Sequence, residues 1–526
     1  MNMIKSRSFV SFVTAAAMAF LSAASPALAE TVLRCRLFGD LKNLDPIVTT
    51  EYMARNHGYM VYDTLFAMDE NLQIKPQMVE SYQTSADGLT WTFTLRDGLK
   101  FHDGQPVTST DVIASLQRWG ARDGLGTQLM GHVKKIEAID TKSFRILLKD
   151  AWGLVLEALG KPSSNVPFIM PARLAKTPAT EPITDPTGSG PFKMLKNQWM
   201  PGAKVVYVRN PDYVPRKEPA SGLAGGKMAG VDRVEWLYMP DPQTAANALQ
   251  AGELDIFEEV PPDMIPVLKG AKGIKIMPQD SLGVQPVFRM NQVQPPFNNP
   301  KIRQAIRYMV DQKVFLTAYV DDPSLYTVCP SYYMCTSPYF TDAGWVKQDL
   351  AKARQLIKES GYDGTPVVVL HATDSQVTST FSSVAEQLMR EIGLKVDPQA
   401  MDWGTLTARR TSKKPVSEGG WSLFISAPTG ADMMEPVGHL ALRSDCEKAW
   451  IGWPCDPKIE QLRIEFSMTS DMNKRKEIAR KVQLQANESV PYVPLGQFYL
   501  VRAYSDKLSG ILKAAIPVYW NIRKEK

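Results

Sequence analysis

"DLAKARQLIKESGYDGTPVVVLHATDSQVTSTFSSVAEQLMREIGLKVDPQAMD", residues 349–402, decides the fold. DLAKARQLIKESG reads as a helix stopped by Gly361, and TPVVVLHA as a buried strand. SSVAEQLMREIG is a second helix, LKVDPQAMD a second strand, and WSLFIS at 421–426 a third. Strands separated by helices of this length predict crossover units, hence an α/β body with a largely parallel sheet.

The same alternation extends outward. In FNNPKIRQAIRYMVDQKVFLTAYV, Asn299 caps a helix, Pro300 sits in its first turn, and Ile302, Ala305, Ile306, Met309 and Val310 form one stripe. Further on, MNKRKEIARKVQLQANES is a charged helix and VPYVPLGQFYLVRAY is strand-rich. Upstream, TVLRCRLF predicts a strand and RNHGYMVYDTLF a short helix. LTWTFTLRDGLKFHDG alternates Trp91, Phe93 and Leu95 on one face and predicts a hairpin turning at Asp97-Gly98. The Gly/Pro cluster DPTGSGPFKML marks a boundary at about 186. AKVVYVRNPDY, VDRVEWLYMP and GIKIMPQ then resume as strands, with a helix at PQTAANALQAGELDI.

The chain opens like an export signal: Lys5 and Arg7, the apolar run from Phe9 to Leu21, then Ala27-Leu28-Ala29. Cleavage after Ala29 would leave 497 of the 526 residues, enough for two to four domains. Without Lys5 and Arg7, 58 basic residues face 55 acidic ones. So thin an excess gives no nucleic-acid footprint. No later run approaches the roughly 18 apolar residues of a membrane helix.

Cys329/Cys335 and Cys446/Cys455 lie in loop-like sequence and read as two short disulfides in an oxidising compartment, with free thiols and zinc as alternatives. Neither pair has the spacing of a zinc site. Cys35, in a strand pattern, reads as a buried, inert thiol.

Catalytic motifs are absent. No Gly-x-Ser-x-Gly or His-Glu-x-x-His occurs, and GLAGGKM falls one residue short of a phosphate loop. His57, His102, His132, His371 and His439 lie far apart and read as structural; His102-Asp103-Gly104 reads as a turn. Neither catalytic residues, nor a metal site, nor a cofactor is expected. What remains is Asp432 in ISAPTGADMMEP, a charge in an apolar, Pro/Gly/Met-rich segment. If buried it must be hydrogen-bonded or paired, unless it caps the helix-like MMEPVGHLAL.

LKNLDP, YDTLF, LTWTFTLRDGLKFHDGQPVTSTDV, GSGPFKM, VRNPDY, KIRQAIRYMVDQ and GADMMEP, spread from about 36 to 500, resemble the large extracytoplasmic solute-binding proteins of ATP-driven importers. This is family 5, which includes the oligopeptide-, dipeptide- and nickel-binding proteins. The resemblance implies a two-lobed periplasmic-binding-protein fold, type II and cluster C-like, with an inserted β-rich subdomain. Lobe 1 is expected at 30–62 with 187–285 and 488–526, the insert at 63–186, and lobe 2 at 286–487. Two lobes would close on a ligand by hinge motion, and a membrane permease would read the closed form.

In the family's peptide binders an aspartate in a segment matching GADMMEP pairs with the peptide's α-ammonium; here that is Asp432. The resemblance also points to Thr50 and Tyr52 in the loop after LDP, and to Trp403 in MDWGTL. Thr429, Gly430 and Met433 flank the aspartate. Gln376 stands where some peptide binders carry a cation or histidine for the ligand's carboxyl end. Pro428-Thr429 and Met433-Met434 depart from the usual pattern, and methionines make adaptable walls.

The expectation is therefore a monomeric periplasmic importer component that takes a short peptide or other amine-bearing small molecule and delivers it to an ABC permease in the inner membrane. A metal-chelate or haem carrier of the same fold, an exported hydrolase, and a chaperone-like peptide holder are the alternatives.

Overall fold

The computed structural model describes residues 30–525, so the export signal and its cleavage after Ala29 lie outside the described residues. Two sheets carry the body. The first has seven strands in the order Phe192–Met194, Lys204–Arg209, Arg233–Leu237, Val32–Arg36, Ile256–Phe257, Val501–Ser505 and Ile274–Pro278. Val32–Arg36 runs parallel to both its neighbours, and every other pairing is antiparallel. Its alternation sends Leu33 and Cys35 into the core. Burial raises the Cys35 thiol well above its ordinary pKa, which keeps it protonated and unreactive.

The second sheet has five strands, ordered Val396–Met401, Val367–Ala372, Leu423–Ser426, Val287–Met290 and Val493–Pro494. The helix Gln376–Glu391 produces a parallel crossover, and Val367–Ala372 is parallel to both neighbours. Val287–Met290 is antiparallel to both of its own. The sheet is thus mixed rather than largely parallel. Crossover helices enforce parallel pairing only where they occur, and Val287–Met290 enters from the other sheet without one.

A four-stranded antiparallel sheet, sharing its core with the first sheet, is ordered Val79–Thr84, Thr90–Leu95, Ser143–Leu148, Val133–Ala138. Phe93 stacks on Phe144 at 5.0 Å. The hairpin expected across Asp97-Gly98 does not form. Thr90–Leu95 pairs instead with Val79–Thr84 and Ser143–Leu148, so both its edges are taken. Past Gly98 there is a single bridge, Lys100 to Pro106, and then the helix Ser109–Gly120, which a Thr108/Asp111 capping box starts.

The chain passes between the two main sheets twice. One passage is 279–286. The other comes after Phe498, because Val493–Pro494 and Gln497–Phe498 pair with Val287–Met290 and Tyr326–Thr327. The return therefore falls later than the 487/488 boundary drawn from sequence. Cys329–Cys335 and Cys446–Cys455 are disulfide-bonded, with Cα–Cα distances of 5.7 and 4.1 Å.

Candidate functional site

The helix that begins the site starts earlier than its sequence pattern suggests. It runs from Tyr52 to Val61, and every residue after Tyr52 is buried. Tyr52, at its first position, reaches the opposite body. Its hydroxyl accepts the Thr429 N–H at 3.1 Å and donates to Asp432 Oδ2 at 2.8 Å. Asp432 lies in a single 3-10 turn, Gly430–Asp432, after the strand Leu423–Ser426. MMEPVGHLAL is not an α-helix, and Asp432 caps nothing.

The turn is fixed by its glycine. A Cβ on Gly430 would stand 2.8 Å from Leu282 Cβ and 2.9 Å from both the Leu282 carbonyl and Met334 Cε. With hydrogen there, the Gly430 N–H donates to the Gly283 carbonyl at 2.7 Å. Leu282 and Gly283 belong to the first passage between the sheets, where Asp280 Oδ1 accepts both their N–H groups. The turn carrying Asp432 is thereby tied to the first passage between the sheets.

Asp432 is 4% exposed. Ser163 donates to the same Oδ2 at 3.3 Å, and Arg55 Nη1 donates to Ser163 Oγ at 2.9 Å. The Arg55 guanidinium also sits 4.4 Å from the centre of the Tyr52 ring and bonds to Asn56. Three parts of the molecule thus meet on one carboxylate. Among the described residues no cation lies within 4.0 Å of it: Arg55 reaches it only through a hydroxyl, and Lys161 pairs with Asp123. Burial raises the Asp432 carboxyl pKa, while Lys161, Arg55 and the two hydroxyl donors oppose the shift. Burial, and then the Asp432 charge, pushes the Tyr52 phenol well above its ordinary pKa, so it remains a neutral donor. Such a carboxylate can receive a further cationic donor, because its charge is desolvated and only partly answered.

The structure brings Tyr52, Thr429, Gly430 and Asp432 together. Met433 is adjacent but fully buried, in one cluster with Tyr332, Tyr333 and Met334. Thr50 is exposed, just before the helix. Gln376 is exposed at the first position of Gln376–Glu391. Trp403 is half-buried and opens the helix Trp403–Arg409.

Sequence reading missed Arg55, Lys161 and Ser163. It had no handle on KPSSNVPF, whose Asn165 donates to the Pro46, Ile47 and Thr49 carbonyls and so holds that loop beside Tyr52. The histidines stay apart. His57 meets Tyr207, His102 the Gly190 carbonyl, His132 Asp150, and His439 the Tyr332 carbonyl. His371 joins Ser379 to Glu386, satisfying both ring nitrogens at a strand–helix seam that no sequence motif announces.

Two sheet-built bodies joined by two passages of chain, with a buried carboxylate where both meet the Ser163 loop, form the two-lobed architecture of a binding protein. The chain belongs to the bacterial extracellular solute-binding proteins, family 5, whose middle-region profile matches residues 73–448. A probable peptide ABC transporter periplasmic-binding protein, y4tO of Sinorhizobium fredii, is 39% identical over 510 residues, 96% of this chain and 95% of its own. The glutathione-binding protein GsiB of Escherichia coli O1:K1 / APEC is 28% identical over 512 residues, 93% of each. Among solved structures, the periplasmic binding protein DppA from Helicobacter pylori, in complex with peptide STSA, superposes with a TM-score of 0.79 at 22% identity. That match covers 94% of this chain and 99% of DppA, and it supports the two-lobed fold. No helix among the described residues is long and apolar enough to cross a membrane.

Proposed function

We propose that the protein is the periplasmic substrate-binding component of an ABC importer, capturing a short peptide or related amine-bearing solute between its two lobes and delivering it to an inner-membrane permease. It acts as a monomer and as a binding protein rather than an enzyme, and it is exported by a signal cleaved after Ala29. The lobes follow the boundaries drawn from sequence, with the return passage moved to about 499. Family membership and the relative y4tO, a probable peptide ABC transporter periplasmic-binding protein, support this reading. So does GsiB, since glutathione is itself a peptide with a free amine.

The observation that carries it is Asp432. Buried, hydrogen-bonded across the lobes and free of an ion pair among the described residues, it suits an α-ammonium. Tyr52, Thr429 and Gly430 frame that position, and Met433 backs it from the core. Thr50, Gln376 and Trp403 would contact ligand parts farther from the amine.

Titration calorimetry of Asp432→Asn with di- to pentaalanine, free and N-acetylated, tests the reading. The variant should weaken free-amine peptides about 10- to 100-fold, the range for a lost hydrogen bond to a charged group, and leave acetylated forms unchanged. Equal loss for both, or no loss, overturns it.

A further inference from the structure

Helical serines in this chain bond back to the carbonyl four residues earlier at several places: Ser115 to Asp111, Ser383 to Ser379 and Ser489 to Gln485. Ser379, on the helix Gln376–Glu391, turns its hydroxyl elsewhere. Its Oγ lies 2.9 Å from His371 Nε2, and His371 Nδ1 lies 2.8 Å from Glu386 Oε1. Ser379 and Glu386 stand seven positions apart, about two helical turns, so both face the strand that carries His371. That strand is Val367–Ala372, and His371 is its one position that is not buried. The strand runs parallel to both neighbours and His371 is next to its carboxyl end, where open α/β sheets present side chains to ligands.

The order of these bonds fixes the proton. A carboxylate only accepts, so the ring bonded to Glu386 carries its proton on Nδ1; in the neutral imidazole Nε2 is then an acceptor, and the Ser379 hydroxyl donates to it. Arg390 stands beside the other carboxylate oxygen, its Nη2 3.9 Å from Glu386 Oε2. The Glu386 side chain is 9% exposed and that of His371 16%, and Ser379 is half-buried. The carboxylate therefore lies innermost, while the ring and the hydroxyl reach solvent. Among the described residues no other histidine joins a hydroxyl to a carboxylate.

We propose that Ser379 is a nucleophile that takes the acyl group of an activated ester, with His371 as its general base and Glu386 as the residue that positions the ring. Oγ attacks the ester carbonyl carbon while Nε2 accepts the hydroxyl proton. The Oγ–C bond forms, the bond from that carbon to the leaving oxygen breaks, and the leaving group departs with the proton held on Nε2. The products are O-acylated Ser379 and a free alcohol or phenol. This goes beyond peptide capture and does not depend on it: all three residues belong to the second sheet and its crossover helix, and Asp432 takes no part.

The test treats the protein with p-nitrophenyl acetate and locates the acetyl group by peptide mass spectrometry. In the wild type it should sit on Ser379, with one p-nitrophenol released for each group transferred. Ser379→Ala should lose that label. His371→Gln keeps a side chain that can hydrogen-bond but offers no base, and should acquire the label at least about 100-fold more slowly, the lower end of what a general base contributes. No acetylation of Ser379, or the same rate in His371→Gln, overturns the proposal. The ring proton separates a reactive chain of bonds from a merely structural one. Nitrogen NMR of the wild type should show His371 as the Nδ1–H tautomer, and Glu386→Gln should mix in Nε2–H and slow the acetylation. An Nε2–H ring in the wild type overturns the proposal, because it donates to Ser379 and cannot take its proton; so does a Glu386→Gln that acetylates at the wild-type rate. The tautomer is read on the wild type and decides the matter even if His371→Gln does not fold.

Discussion

At the scale of the residue, the proposed role of Asp432 as receiver of the ligand's ammonium would couple recognition to pH. An ammonium is held by the ionised carboxylate, so each binding event on the protonated form must first expel a proton. Below the carboxyl's pKa, affinity therefore falls about tenfold per pH unit. Burial raises that pKa, so the loss sets in at a higher pH than for an ordinary aspartate. Above about pH 8 the peptide's own amine deprotonates and affinity falls again. Calorimetry of trialanine from pH 4 to 9, corrected for buffer ionisation, should give a bell whose acid limb is absent in Asp432→Asn. Asp432 and Tyr52 were legible because a family motif marks the first and a loop position the second. Ser163 and Arg55 were not, since what defines them is long-range. Ser163 meets a carboxylate 269 positions away, and Arg55 reaches that carboxylate only through Ser163, 108 positions on. No local pattern encodes either fact.

At the scale of the element, the disulfide ring Cys329–Cys335 shows how a loop can be made rigid enough to support a site. Three glutamines from other elements hold its backbone. Gln312 Oε1 accepts the Cys329 N–H, Gln483 Oε1 that of Tyr332, and Gln497 Oε1 that of Cys335. Gln497 also donates to the Leu282 carbonyl in the hinge, and Met334 packs against Gly430. Removing the crosslink with Cys329→Ala and Cys335→Ala frees a very short ring in the unfolded chain, worth about 2 kcal/mol on the chain-entropy account. The glutamine bonds remain, so the loop should keep its course. Calorimetric unfolding should show a lower midpoint, while trialanine affinity drops less than threefold; a larger drop would mean that the bond itself positions Asp432. The cysteine pairing and the capped helices Pro300–Met309 and Met472–Ser489 could be read from sequence, because spacing, caps and periodicity are local. The hairpin at Asp97-Gly98 was misread because a turn signal fixes where the chain bends and not which strand arrives at its edge. That edge went to Ser143–Leu148, about fifty residues on.

At the scale of the whole molecule, closure is itself a source of affinity. Besides the contacts on Asp432, the inserted sheet region and the second lobe meet at Arg475, on the helix Met472–Ser489. Its Nη1 pairs with Glu157 at 2.8 Å, its Nη2 donates to the Gly153 carbonyl, and the Gly153 N–H donates to the Ser467 carbonyl. A side chain on Gly153 would come within 2.9 Å of the Thr469 carbonyl, so the approach requires glycine. In the mechanism proposed here, ligand binds the closed form, and apparent affinity scales with the fraction of molecules closed. Arg475→Ala removes a charge-assisted contact and should shift that balance by about 1 to 2 kcal/mol toward open. The consequence differs in kind from a site mutation. Every ligand, free or acetylated, acid or amide, should weaken by the same factor, roughly 5- to 30-fold. Asp432→Asn, by contrast, should discriminate by amine. Small-angle scattering should show Arg475→Ala larger than the wild type without ligand and equal to it at saturation. A ligand-dependent loss of affinity, or identical scattering throughout, would mean that this contact does not report on closure and that the lobes are held by the ligand and the hinge alone.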